Sequence, residues 1–339
     1  MSPTDKLSFC QPKWVGAQST WTFPESVSDD AVTPLGPLTP LSNNPDVTDV
    51  FVLANGQVFA DRGHGATPVT GMRLSPAEAL GIARRLIEQG GRHLDEASPV
   101  VDVRLGPGIR VHAVLPPVAV GGAVVSIRFQ RASHRGFDEL ALDISEEVRH
   151  TVLYAVDQYD TVLITGATGS GKTTLLASLL SLANPRDRVV TIEDVSELII
   201  NHPHVVSLEC RQPNIEGAGE IALHQLVRES LRMRPTRLVV GECRGAELRD
   251  LLSALNTGHR GGAATLHANS LEDVPVRLDS LAALAGLTSE QLARQAHSAF
   301  DLVIHVTAHH GSPRTIELGR FVLLEGDRLG IVPITPQAL

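Results

Sequence analysis

Three short stretches early in the chain alternate strictly between apolar and polar residues. In Val100–Leu105, Ile109–Leu115 and Ala123–Phe129, the residues Val101, Val103, Leu105, Val111, Ala113, Leu115, Val125, Ile127 and Phe129 fall on one face each, the period of half-buried strands. The other face carries Asp102, Arg104, Arg110, His112, Ser126 and Arg128, so several arginines project from one side of the predicted sheet. Upstream, Val50–Leu53 and Gln57–Ala60 flank Asn55-Gly56, a pair that tolerates positive φ at both turn positions and therefore predicts a hairpin. Ser75-Pro76-Ala77-Glu78 reads as helix N-cap, first-turn proline and capping-box glutamate. Apolar residues at 79, 80, 82, 83, 86 and 87 follow with helical spacing, and Gly90-Gly91 ends the helix.

From about residue 139 the pattern changes to alternating helix and strand, which predicts a parallel sheet with crossover helices. Ser145–Tyr154, Thr173–Ala183, His224–Met233 and Glu247–Leu255 are the predicted helices, and Thr161–Thr165, Arg188–Ile192 and Leu238–Val240 the predicted strands. Asp301–Ile334 reads as short antiparallel strands with turns near His309–Ser312 and Glu325–Asp327. The expected fold class is α/β, with a small N-terminal α/β domain over 35–130, a polar linker over 131–138, and a second domain over 139–339 that ends in β-strands. Residues 1–34 show no period and read as an arm with Trp14 and Trp21 as docking groups. No internal repeat is visible.

Composition narrows the chemistry. A length of 339 residues suggests two domains, and 42% hydrophobic with 20% charged residues is ordinary for a soluble globular chain. The net charge of −9 argues against nucleic acid as the main partner, since phosphate binding needs a basic surface. The three cysteines have no metal-type or disulfide-framework spacing, which fits a reducing cytosol. There is no signal pattern, and the most apolar stretch, Val111–Ile127, is broken by Pro116, Pro117, Gly121 and Gly122, so the expected location is cytoplasmic. The bases are 26 arginines and only three lysines, Lys6, Lys13 and Lys172. Schiff-base and pyridoxal chemistry needs a lysine amine, and only Lys172 lies in folded-looking sequence.

That lysine sits in Gly166-Ala167-Thr168-Gly169-Ser170-Gly171-Lys172-Thr173, the phosphate-loop pattern, directly after a predicted strand and at the start of a helix. Glycines let the backbone N–H groups curl inward onto phosphate oxygens, and the helix N-terminus adds its dipole. Lys172 is expected on the β/γ-phosphates of ATP and the Thr173 hydroxyl on Mg²⁺, with Thr174 completing the nucleotide-binding run. Leu238-Val239-Val240-Gly241-Glu242 is a hydrophobic strand ending in an acid one place beyond the usual Walker B position. Glu242 is thereby a candidate to orient or deprotonate the attacking water. Thr191-Ile192-Glu193-Asp194-Val195-Ser196-Glu197 supplies a second acidic strand end, which makes Glu193 a second carboxylate for Mg²⁺ or water. In the stretch 257–269, His259 and His267 are candidates to sense or polarise the γ-phosphate; zinc is not expected without cysteine partners.

Together the Gly166–Thr173 loop, the acidic box Thr191–Glu197, the Val240–Gly245 strand end and the histidine box Gly258–Asn269 resemble the secretion and pilus motor ATPases of type II secretion, type IV secretion and type IV pili. Leu35–Leu38, Pro203–Val206, Pro213–Gly217 and Leu231–Pro235 look like the tight-adherence pilus branch. The resemblance implies a hexamer whose subunits pair a small N-terminal domain with a RecA-like ATPase domain. It further implies arginines of the N-terminal domain (Arg104, Arg110 and Arg128 here) reaching a nucleotide clamped between the domains, each able to contribute a factor of about 10³–10⁵ where it meets transition-state charge. By the same resemblance Glu242 is the general base, Glu193 a Mg²⁺ or water ligand, and His259 and His267 phosphate-sensing or coupling residues. Inner-membrane platform proteins are the implied partners, with contact to the inner face of the membrane made through them. Arg260-Gly261-Gly262 departs from the Asp-Gly-Ser often found after the first box histidine. Two other classes stay open: a nucleotide-dependent scaffold with little turnover, and a RecA-like DNA motor or small-molecule kinase.

A compact ammonium and a planar guanidinium are not interchangeable on a phosphate. Lys172→Arg is therefore expected to fail as completely as Lys172→Ala, with phosphate release from ATP at background in both.

Overall fold

The computed structural model describes residues 33–334 except 64, 107, 130–135, 212–217 and 310–311. Most of the arm at 1–34, most of the linker at 131–138, the Pro213–Gly217 motif and the centre of the turn near His309–Ser312 lie outside the described residues. The chain divides into two compact units at Ser133/His134.

The first unit is an antiparallel six-stranded sheet with a helix packed on one face. Its strands are β1 (Asp49–Val52), β2 (Gln57–Asp61), β3 (Ala66–Arg73), β4 (Val100–Leu105), β5 (Ile109–Val114) and β6 (Val124–Phe129), in the order β3-β2-β1-β6-β5-β4. Helix α1 (Pro76–Gln89) starts at Ser75, whose hydroxyl accepts from the Glu78 N–H while the Glu78 carboxylate accepts from the Ser75 N–H. Its Ala79, Ile82, Ala83, Leu86 and Ile87 are buried against the sheet face formed by Val101, Val103, Val111, Ala113, Val125 and Ile127. Leu35 and Leu38, from a helical turn over Thr33–Leu38, are fully buried in the same core.

The second unit is built on a nine-stranded sheet. Its strands are β7 (Leu142–Asp143), β8 (Val162–Gly166), β9 (Val189–Glu193), β10 (Val205–Glu209), β11 (Arg237–Val240), β12 (Ala263–His267), β13 (Leu302–His309), β14 (Ser312–Leu324) and β15 (Arg328–Pro333). The order is β10-β9-β11-β12-β8-β13-β14-β15, with β7 on β14. The helices are α2 (Glu146–Asp157), α3 (Lys172–Leu180), α4 (Leu223–Ser230), α5 (Glu247–Asn256), α6 (Val274–Leu284) and α7 (Ser289–Ala299).

Two features differ from the sequence-based expectation. The C-terminal strands pair antiparallel as expected, β13 with β14 and β14 with β15, but they also extend the main sheet. β13 enters the main sheet parallel to β8, in the register Leu302↔Val162 to Val306↔Gly166, and β14 runs for 13 residues. Leu302, Val303, Ile304 and Val306 are all buried, and a strand covered on both faces reads as an apolar run with no sign of direction. Helices α6 and α7 were not anticipated, although Thr288 and Gln291 form a complete capping box at the start of α7.

At the N-terminal ends of the parallel strands lies a buried ion pair. Arg237 Nε donates to Asp187 Oδ2 at 2.7 Å, its Nη2 donates to the Val156 carbonyl at 2.8 Å, and the Tyr159 hydroxyl donates to Asp187 Oδ1 at 2.8 Å. The guanidinium also stacks over the Tyr159 ring, 4.4 Å from its centroid. This cluster joins the starts of β9 and β11 to the end of α2. Asp187→Ala would leave a buried guanidinium without its counter-charge, so it is expected to cost about 3–5 kcal/mol in a urea-unfolding experiment.

Candidate nucleotide site

In an open parallel sheet, ligands gather beyond the carboxyl ends of the strands where the strand order reverses. Here the chain leaves β8, passes through α3 and returns as β9 three places away in the sheet, so the reversal falls at β8. The ladder sets Gly166 level with His267 of β12 and with Val306 of β13. Four groups named from sequence lie at these strand ends: Gly166–Thr174 after β8, Glu193 ending β9, Glu242 after β11, and His267 ending β12.

The loop turns into α3 at Gly171, the N-cap residue, with φ of 98°. A Cβ there would also stand 2.9 Å from Nε of Arg314 on β14, so both conformation and space require glycine. Ala167, Thr168 and Gly169 are exposed, Ser170 is buried, Thr173 is half-buried and Thr174 exposed. Lys172 Nζ donates to the carbonyls of Gly166 (3.0 Å) and Ala167 (2.9 Å). Burial lowers its pKa from the ordinary lysine value, and the Glu242 carboxylate works against that shift. His267 meets the loop directly: the Thr168 N–H donates to its Nε2 at 2.9 Å, and the Thr168 hydroxyl lies 3.3 Å from the same nitrogen.

The two carboxylates have different surroundings. Glu193 is 4% exposed, and its Oε1 accepts from the N–H groups of Glu197 (2.9 Å) and Leu198 (3.1 Å), which shapes the turn after β9. Its side chain packs on Gly241, where an added Cβ would stand 2.6 Å from Glu193 Cγ. That contact leaves no room for a side chain at residue 241. Glu242 is half-buried and accepts from Arg244 Nη2 at 2.6 Å; Arg244 Nη1 lies 4.0 Å from Asp194. Glu247 Oε1 accepts from the N–H groups of Arg244 and Gly245, fixing the bend that carries Glu242.

The remaining candidates lie elsewhere. His259 precedes β12, whereas the loop neighbours its far end, and His259 Nδ1 bonds the Ala254 carbonyl at 3.2 Å. The structure therefore does not bring His259 to the Gly166–Thr173 loop of its own chain. In the first unit, Arg104, Arg110 and Arg128 are direct cross-strand neighbours, with Asp49 and Asp61 continuing the row. Arg110 Nε donates to Asp102 (3.0 Å to Oδ2) and Arg128 Nε to Asp49 (2.9 Å), so these two guanidiniums have carboxylate partners inside their own sheet. Arg314 and Glu247 were not identified from sequence. Both act through contacts distant or weakly signed along the chain, and only a Glu three residues after Arg244 offered a local clue.

The chain matches the family model described as "Type II/IV secretion system protein" over residues 33–309. It is 42% identical over 294 residues to a Mycobacterium tuberculosis H37Rv protein named for conjugal transfer, covering 84% of this chain and 83% of that protein. It is 30% identical over 319 residues to the type IV secretion system protein VirB11 of Brucella suis, covering 83% of this chain and 87% of that protein. Among solved structures, the pilus retraction motor PilT with bound ADP superposes with a TM-score of 0.61 at 21% identity, covering 85% of this chain and 81% of that one.

Gly241→Ala forces a methyl group into the Glu193 side chain. It is expected to lower stability by about 1–3 kcal/mol in thermal unfolding, and Gly241→Ala with Glu193→Ala to recover part of that loss.

Proposed function

The chain belongs to the type II/IV secretion system protein family, within the superfamily of secretion and pilus motor ATPases, and on that premise we propose that it is a cytoplasmic, Mg²⁺-dependent hexameric motor for pilus assembly or secretion. The observation that carries the proposal is the convergence of Lys172, Glu242, Glu193 and His267 at the C-terminal ends of adjacent parallel strands. In this reading the unit built on β7–β15 is a RecA-like ATPase domain and the first unit its N-terminal companion. The loop N–H groups and the α3 N-terminus bind the phosphates of ATP, and Lys172 transfers its two hydrogen bonds from loop carbonyls to phosphate oxygens. Glu242 accepts the proton of the attacking water. Its exposed pair with Arg244 is a weak obstacle, since such pairs contribute only about 0–1 kcal/mol. His267, already on Thr168, reports the state of the loop to β12.

The residues present suit Mg²⁺. This ion takes one or two protein oxygens and completes its shell with phosphates and water. Thr173 and one carboxylate, from Glu193 or Glu242, supply that much, and among the described residues no group of three or more His, Cys, Asp or Glu could form a full protein cage. When bound, the ion would neutralise charge on the β- and γ-phosphates.

Hexamer formation, platform proteins at the inner face of the membrane, and the tight-adherence pilus branch are parts of the proposal supported by sequence motifs. Among the described residues no helix is long and apolar enough to cross a membrane. The relatives named for conjugal transfer and type IV secretion favour work on macromolecules at such a platform.

Glu242→Gln is the deciding variant. Retained ATP binding with phosphate release reduced at least a hundredfold is expected; unchanged release removes Glu242 as the base, and stimulation of wild-type turnover by DNA favours a DNA motor instead.

A further inference from the structure

Arg314 stands near the start of β14, at the same end of the sheet as the Gly166–Thr173 loop, because β14 runs antiparallel to β13 and β13 parallel to β8. Its backbone is fixed there: the Arg314 N–H donates to the Ala141 carbonyl at 2.9 Å, and the residue pairs with Leu142 of β7. The side chain lies across Gly171, the N-cap residue of α3, with Nε 2.9 Å and Cζ 3.4 Å from the place a Cβ would take. Nε is buried and has no hydrogen-bond partner among the described residues. Elsewhere in the same unit Arg149, Arg228, Arg237, Arg244 and Arg294 each hold a carboxylate. Arg314 has no such ion pair among the described residues.

The surroundings of this guanidinium are electrostatically one-sided. The N-terminus of α3 presents the positive end of the helix dipole, Lys172 follows Gly171 directly, and a further cation beside them adds repulsion. A buried N–H without an acceptor is itself unfavourable. An anion at the helix N-terminus relieves both, and phosphate matches the planar fork of a guanidinium.

Place in the sheet indicates which phosphate. Glu193 and His267 end β9 and β12, and Glu242 follows β11; all three strands lie on one side of β8, whereas β13 and β14 lie on the other. The groups assigned to hydrolysis therefore gather on the β12 side of the loop. Arg314 approaches from the opposite flank, away from the bond that is cleaved.

We propose that Arg314 is a nucleotide-binding residue that takes an inner phosphate, one shared by ATP and ADP, and so sets the affinity for both nucleotides. This rests on the reading of Gly166–Thr173 as the nucleotide loop. An arginine that only fills space over Gly171 would be replaceable by an uncharged side chain of similar length without loss of affinity in the folded protein.

The test measures binding of fluorescent ADP and of a non-hydrolysable ATP analogue, and steady-state ATP turnover, for folded full-length Arg314→Gln, Arg314→Met and Arg314→Lys. In the two neutral variants the Kd for ADP and for the analogue should both rise at least tenfold, the two factors agreeing within threefold. The ratio kcat/KM should fall at least tenfold, with most of the loss in KM. Arg314→Lys, which serves if the neutral variants do not fold, should lose at least threefold for both nucleotides, because an ammonium cannot present the planar fork. ADP and analogue affinities within twofold of wild type in the folded variants would overturn the inference. So would a loss confined to the ATP analogue, which puts the guanidinium on the γ-phosphate. Lys172→Ala separates the two levels: if it binds ADP and turns over ATP like the wild type, the nucleotide-loop reading fails; if it loses both while the Arg314 variants bind normally, only the role of Arg314 falls.

Discussion

Strand β8 is hydrogen-bonded along both edges, to β12 on one side and β13 on the other, and all five of its residues are buried. A backbone paired on both edges and covered on both faces has no inexpensive displacement, because any shift breaks ladder bonds on two sides and opens voids in a close-packed core. The loop that begins at Gly166 thus departs from a fixed base. The groups that face it are delivered by the C-terminal ends of neighbouring strands and inherit the same register. Precision in this site comes from the ladder, and the loop adds conformational freedom only where glycine permits it.

The carboxylates show how such a frame distributes labour between similar side chains. Glu193 is closed in by Gly241 and by the N–H groups of the turn it shapes, so part of its hydrogen-bonding capacity belongs to the scaffold. Glu242, one residue past that glycine, is half-buried and bound to a mobile type of partner, a solvent-facing arginine. Two acids that look equivalent in sequence are separated by burial into a support and a group free to exchange partners. Removing the Cβ at residue 241 makes both environments possible.

Legibility in the sequence followed locality. Val100–Leu105 and its two neighbours were readable as strands because one face is buried and the other polar, which writes period two directly into the chain. The α1 start was readable because Ser75 and Glu78 satisfy each other within three residues. The loop was a local pattern of eight residues, and the two acids stood out as carboxylates ending apolar strands; the structure sets all three at the same end of the sheet. The antiparallel pairing of β13 with β14 was legible, but its parallel pairing with β8 was not, because that joins residues 140 apart in the chain. Arg314 carries no local signature at all. His259 illustrates the converse: proximity in sequence to His267 suggested a shared site, yet a strand of five residues carries its two ends about 13–17 Å apart.

The ammonium of Lys172 rests on two carbonyls of its own loop. It therefore braces the turn as a cross-link between the first and last residues of the curl. A phosphate that arrives exchanges neutral acceptors for charged ones, with little chain left to order. Binding of that kind avoids much of the entropic cost of folding a loop around its ligand.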